Sequence, residues 1–218
     1  MLTRMMTLDE LALKYRTDKG SKYHGYTKVY ARYFDPIRME VKHFLELGIG
    51  DINSLNREGQ SALMWQEYFP NARVLAIDND PVKVENARGY ECYALCLSQD
   101  DPTLINQGPF DIIVDDASHQ KDLTVNTFRN LWQTIKPGGY YVIEDVVAPA
   151  FWGAWGGSDN VFESPFLSYF FEIARNINLQ KVRNFPDSVK SKDTVDVILQ
   201  NMESITFSNG LIIMKKHD

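Results

Sequence analysis

The sequence predicts an α/β fold, a doubly wound, seven-stranded, mostly parallel sheet in a single domain over residues 1–218, with an antiparallel C-terminal hairpin strand. Three observations predict it. Short β-branched or apolar runs alternate with helical patterns between residues 43 and 145, as in strand–helix–strand crossovers. The end of the chain, "ESITFSNGLIIMKK" (203–216), holds two strand-like runs joined by Ser208-Asn209-Gly210; Asn-Gly between apolar runs is a hairpin signal and leaves no room for a crossover helix. A length of 218 residues with 44% hydrophobic and 24% charged content suits one sizeable core.

In chain order, residues 1–40 are expected to supply helices beside the site, the first marked by Leu8, Leu11, Ala12 and Tyr15 at helical spacing. Five parallel strands are then expected at 43–48 (HFLELG), 73–78 (RVLAID), 92–97 (CYALCL), 110–116 (FDIIVDD) and 140–145 (YYVIED). The crossovers are 60–69, 81–88, a short piece near 101–106, and a helix from about 121 to 135 that stops before Lys136-Pro137-Gly138-Gly139. Residues 147–200 form a lid and substrate region, opening with the glycine-rich "APAFWGAWGGSDN" and continuing in a helix near 163–177.

Charge narrows the partners. A net charge of −6 and a pI near 5.3 give no general attraction to phosphate backbones, so nucleic acid is not an expected ligand. No apolar run approaches the ~20 residues needed to span a bilayer, and no signal segment is apparent, so a cytoplasmic protein without a membrane partner is expected. Cys92 and Cys96 would stand roughly 13 Å apart along one strand face, too far for a disulfide, and read as packed thiols in a reducing compartment.

The unusual residues fall at the carboxyl ends of the expected strands, where open α/β sheets bind ligands. "ELGIG" places Gly48 and Gly50 after the first strand, where backbone can approach a cofactor closely. Asp78 closes the second strand, where a carboxylate can accept both hydroxyls of a ribose, while Asp80 before Pro81 reads as a helix cap. Asp116 closes the fourth strand, and Glu144 with Asp145 closes the fifth. Three converging carboxylates call for a compensating cation, and hard oxygen ligands suit Mg²⁺, Mn²⁺ or Ca²⁺. His119, three residues past Asp116, is placed to act as a general base. Tyr23, His24, Trp152 and Trp155 are expected to border an acceptor, with core packing or a helix-start hydrogen bond the other reading of Tyr23 and His24.

Together, "FLELGIG", "AIDNDP", "LSQDDP", "FDIIVDDASH" and "KPGGYYVIEDV" resemble the class I S-adenosylmethionine-dependent methyltransferases, whose fold is Rossmann-like, over roughly residues 15–148. The pairing of "DDASH" with "IED", preceded by "YRTDKGSKYHGYTKVY", resembles more narrowly the metal-dependent macrolide-sugar O-methyltransferases of the mycinamicin 2''-O-methyltransferase type and the related cephalosporin-biosynthesis methyltransferase. The large additional amino-terminal domain of the mycinamicin type is not expected here.

The resemblance implies S-adenosylmethionine as cofactor, with Mg²⁺ or another divalent cation such as Mn²⁺ held by Asp116, Glu144 and Asp145, and His119 as the base. It places Glu46, Gly48 and Gly50 on the methionine side, Asp78 on the ribose, Gln99 beside the adenine, and Asp115 toward the amino end, with Ser61 also among the expected cofactor-binding residues. The implied reaction is methylation of a hydroxyl on a small molecule, a natural product or its sugar, by an enzyme that could be a homo-oligomer. The sequence departs from the family in the lengthened loop "DINSLNREGQ" and in Leu97-Ser98-Gln99 where Gly-Asp-Gln is usual. Two other readings are a nicotinamide-dependent oxidoreductase, disfavoured by the hairpin and the acid cluster, and a non-catalytic binding protein on the same fold.

Overall fold

The computed structural model describes residues 4–50, 59–158, 160, 163–177 and 201–218. The lengthened glycine loop and much of the expected lid lie outside these residues.

Alternation in the sequence becomes a sheet with strands β1 (His43–Leu47), β2 (Arg73–Asp78), β3 (Ala94–Cys96), β4 (Phe110–Asp115), β5 (Ile135–Ile143), β6 (Met202–Ser208) and β7 (Leu211–Lys216). Their order is β3-β2-β1-β4-β5-β7-β6. The first five are parallel, and β7 runs antiparallel between β5 and β6, as the Asn209-Gly210 turn requires. Strand order reverses between β1 and β4, which opens the crevice used for ligands in this architecture.

Ile112, Ile113 and Val114 are fully buried because β4 is covered on both faces. Phe44, Ile112, Val114 and Val142 face one core with Tyr30, Phe34, Trp65 and Tyr68. Leu45, Ile113, Tyr141 and Ile143 face the other with Phe128, Trp132, Phe166 and Phe170.

The first core is closed by helices α1 (Leu8–Tyr15), α2 (Thr27–Phe34) and α3 (Gln60–Tyr68). The side chains of Thr7 and Glu10 cap α1 reciprocally. Asp9 then accepts bonds from the Ser21 backbone and from the Ser21 and Thr27 hydroxyls, which ties the 16–26 loop and the start of α2 to α1. Helices α4 (Pro81–Arg88), α5 (Lys121–Leu131), α6 (Val147–Phe151) and α7 (Pro165–Asn176) complete the layers. Asp80 caps α4 through the Val82 amide at 2.8 Å, as its position before Pro81 predicts.

Four elements depart from expectation. The piece at Pro102–Gln107 is a 3₁₀ helix. The 121–135 helix gives way to a 3₁₀ turn at Trp132–Thr134. β5 begins at Ile135 and takes in Pro137-Gly138-Gly139 as an irregularity, its pairing jumping from Phe110↔Ile135 to Ile112↔Tyr140. Of the two thiols, Cys92 is buried but Cys96 is exposed, because β3 is a short outer strand and Cys96 ends it.

Candidate active site

The carboxyl ends of β1, β2, β4 and β5 open into a cleft of about 650 Å³. Its lining includes Gly48, Gly50, Asp78, Gln99, Asp116, His119 and Asp145, with Tyr23, His24, Trp152 and Trp155 toward the mouth. Glu46, Asp115 and Glu144 lie behind this surface and are almost wholly buried.

Gly48 adopts φ +88°, and a Cβ there would overlap the carbonyl oxygen of Asp116. The glycine therefore lets the exits of β1 and β4 touch, with the Asp116 amide bonded to the Leu47 carbonyl at 2.9 Å. Asp78 accepts from the Ile49 and Asp80 amides at 3.2 and 2.9 Å, with Lys83 4.0 Å away. Gln99 braces the far wall, donating to Thr127 at 3.2 Å and accepting from the Ser118 amide at 3.0 Å.

Glu46 accepts bonds from Ser61 and, at 3.1 Å, from the Trp65 indole. Its second oxygen is buried with no partner among the described residues. Burial raises its pKa to about 7 against the pull of Lys19. Burial likewise pushes Asp115, which accepts from the Tyr141 hydroxyl at 3.0 Å, up to about 7.

The acids on β4 and β5 are grouped differently from the sequence expectation. His119 Nε2 lies 3.8 Å from Asp116 Oδ1 and 3.7 Å from Asp145 Oδ2. Ligand atoms of these three residues all fall within 4.8 Å of one another. Glu144, expected beside them, instead turns inward, accepting from Tyr30 at 2.6 Å and Lys19 at 2.8 Å. The cause is Lys19, a fully buried ammonium that also bonds Asp116 Oδ2 at 2.6 Å and lies 3.9 Å from Glu46.

Burial opposes the Lys19 charge, but Asp116, Glu144, Glu46 and Asp18 outweigh it and hold its pKa well above the lysine range. Burial raises Asp116, and Glu144 more strongly, despite Lys19 beside both. Both His119 and Asp145 have left-handed backbones, φ 54° and 49°, a conformation of the kind that concentrates at functional sites.

Lys19, Tyr26 and Tyr30 are the functional candidates that sequence reasoning passed over. All come from the run 19–30, where three lysines and three tyrosines are interleaved and nothing local singles out these three.

Two carboxylates and an imidazole at this spacing have the donor chemistry of a Mg²⁺ or Mn²⁺ site. The orphaned Glu46 oxygen, close to the Gly48 turn, has the character of an acceptor for a cationic cofactor group.

The fold and the cleft define a class I methyltransferase architecture. The MycE methyltransferase of the mycinamycin biosynthetic pathway, solved with Mg and S-adenosylhomocysteine (SAH), superposes with a TM-score of 0.85 at 25% identity, covering 98% of this chain and 55% of that one. Its complex with Mg, SAH and mycinamycin VI gives a TM-score of 0.83 at 26% identity.

In sequence, the chain is similar to several O-methyltransferases. It is 35% identical over 155 residues to L-olivosyl-oleandolide 3-O-methyltransferase of Streptomyces antibioticus, covering 69% of this chain and 39% of the relative. It is 33% identical over 167 residues to demethylmacrocin O-methyltransferase of Streptomyces fradiae, covering 74% and 41%. It is 32% identical over 161 residues to mycinamicin VI 2''-O-methyltransferase of Micromonospora griseorubida, covering 71% and 39%. The chain thus spans about two fifths of the curated relatives it matches. No family model matches it.

Proposed function

We propose that this protein is an S-adenosylmethionine-dependent, divalent-cation-assisted O-methyltransferase acting on a sugar hydroxyl of a glycosylated natural product. The observation that carries the reading is the Asp116–His119–Asp145 group on the floor of the cleft, next to the glycine turn and the ribose-type acid Asp78. The mycinamycin VI complex of MycE and the names of the sequence relatives support the acceptor class.

Asp116 and Asp145 would hold the cation through the oxygens that face His119. Glu144 deepens the negative field and could ligate only if Lys19 released it. The cation supplies charge stabilisation that lowers the pKa of a hydroxyl beside it, and the sulfonium cofactor supplies an activated methyl group.

The chain's own residues do the rest. Glu46 accepts the cofactor ammonium, assisted by Ser61, Gly48 and Gly50, with Asp115 behind. Asp78 accepts the ribose hydroxyls, and Gln99 borders the adenine. His119 Nε2 would take the acceptor proton as the oxygen–methyl bond forms and the methyl–sulfur bond breaks, with SAH as the leaving group. Tyr23, His24, Trp152 and Trp155 orient the acceptor and exclude water at the mouth.

The test is incubation of purified protein with S-adenosylmethionine, Mg²⁺ and deoxysugar-bearing macrolides, with SAH formation and a singly methylated product read by mass spectrometry. Metal-dependent product supports the proposal. SAH formation unaffected by EDTA, or turnover of a nicotinamide cofactor instead, overturns it.

A further inference from the structure

Asp145 has two oxygens, and only Oδ2 faces His119. The other, Oδ1, accepts a hydrogen bond from the Tyr26 hydroxyl at 2.6 Å. Tyr26 lies at the N-terminal edge of α2, buried to 4% exposure, its ring stacked on His24 with centroids 5.1 Å apart. It is pinned from the opposite end of the chain: Gly210, at φ +77° in the β6–β7 turn, packs so closely that a Cβ there would overlap the Tyr26 hydroxyl. The Gly210 carbonyl also accepts from the Val146 amide at 3.1 Å, one residue past Asp145. The hairpin turn therefore grips both the tyrosine and the backbone that carries the acid.

The same division of oxygens holds across the cleft. Lys19 takes Asp116 Oδ2, and Asp116 Oδ1 is the atom that faces His119. Each aspartate thus has one oxygen engaged from behind and one presented forward. The Asp145 side chain keeps 29% of its surface open, so water could satisfy Oδ1, and the distinct consequence of the tyrosine is orientation.

We propose that Tyr26 is a positioning residue of the cation site, fixing which Asp145 oxygen faces His119, and that the Gly210 turn holds Tyr26 in place. This rests on the cation reading above. A free carboxylate rotates about its last torsion, whereas one held by a short hydrogen bond presents a fixed donor, and such outer partners typically set metal affinity by about 10–100-fold. Tyr26 needs no contact with the acceptor or with the ion for this role.

The test measures Mn²⁺ affinity of the full chain by electron paramagnetic resonance, together with SAH affinity by calorimetry and thermal melting. Tyr26→Phe keeps the ring and its stacking but removes the hydroxyl, and is expected to weaken Mn²⁺ binding about 10–100-fold while leaving SAH affinity and melting unchanged. Gly210→Ala, at the cleft wall, displaces the Tyr26 hydroxyl without touching either aspartate side chain, and is expected to weaken Mn²⁺ in the same direction. Wild-type Mn²⁺ affinity in Tyr26→Phe overturns the proposal, and parallel loss of Mn²⁺ and SAH binding does so by revealing a general structural effect. If the wild-type protein binds no Mn²⁺, the cation reading itself falls and takes this one with it.

Discussion

His119 Nε2 and Asp145 Oδ2 face each other across 3.7 Å, and both residues reach that position through left-handed backbones at φ 54° and 49°. Non-glycine residues in this region are uncommon and together cost a few kcal/mol. Two of them meeting across one cleft, on the exits of neighbouring strands, identifies the point where the fold gives up stability for geometry. His119→Ala should lower methyl transfer by about 10²–10⁴-fold while SAH affinity, read by calorimetry, stays unchanged. Undiminished turnover would remove His119 from the reaction.

Lys19 is the internal counter-ion of the acid cluster. Replacing it with methionine strands Asp116 and the buried Glu144 without their cation, and breaking a buried pair from one side costs about 3–5 kcal/mol. Lys19→Met should therefore shift the urea midpoint sharply downward at neutral pH. An unchanged midpoint would mean that the ammonium contributes nothing net.

Gly48 is required by contact as well as by conformation. Gly48→Ala faces both the positive φ, at about 1–3 kcal/mol, and overlap with the Asp116 carbonyl oxygen. Thermal melting should fall by several degrees, and Mn²⁺ affinity should fall with it, because the exit of β4 moves.

Burial of Glu46 gives the fold a pH dependence, and under the proposed function it gives cofactor binding one as well. Below its ordinary value of 4.5 the carboxyl is protonated in folded and unfolded chains alike. Between 4.5 and about 7 the folded protein keeps a proton that the unfolded chain has released, so raising pH through this window lowers stability. A cofactor ammonium beside Glu46 favours the ionised form, so SAH binding within that window should release a proton. Calorimetry in buffers of different ionisation enthalpy reads this directly; heats independent of buffer would contradict it.

Trp152, half exposed at the mouth and in edge contact with Trp155 at 5.4 Å, should act on acceptor binding alone. Trp152→Ala is expected to raise KM for a glycosylated acceptor about tenfold and leave kcat near wild type, the pattern of lost uniform binding.

The strand-end residues were legible in the sequence because each is local to its element. Asp78, Asp116 and Asp145 stand within two residues of the end of an apolar run and His119 within five, and the Asn209-Gly210 turn specifies the antiparallel hairpin by itself. Lys19, Tyr26 and Tyr30 were not legible, because tertiary packing of α1 and α2 carries them more than ninety residues along the chain to their acids. The same packing explains why Glu144, which reads as a third ligand, is drawn inward. The start of β5 was hidden for another reason: Pro137-Gly138-Gly139 reads as a breaker, yet the sheet absorbs it as an irregularity. A Cβ on Gly139 would meet the Asp111 carbonyl oxygen at 2.6 Å.

Under the proposed function the cleft binds a methionine-derived nucleoside beside a divalent cation. The most direct test is a calorimetric titration of SAH into the full chain, with Mg²⁺ and then with EDTA, and with NAD as the control. SAH should bind in both conditions, with a separate Mg²⁺ heat that disappears in Asp145→Ala and no heat from NAD. NAD binding, or no response to SAH under either condition, would contradict it.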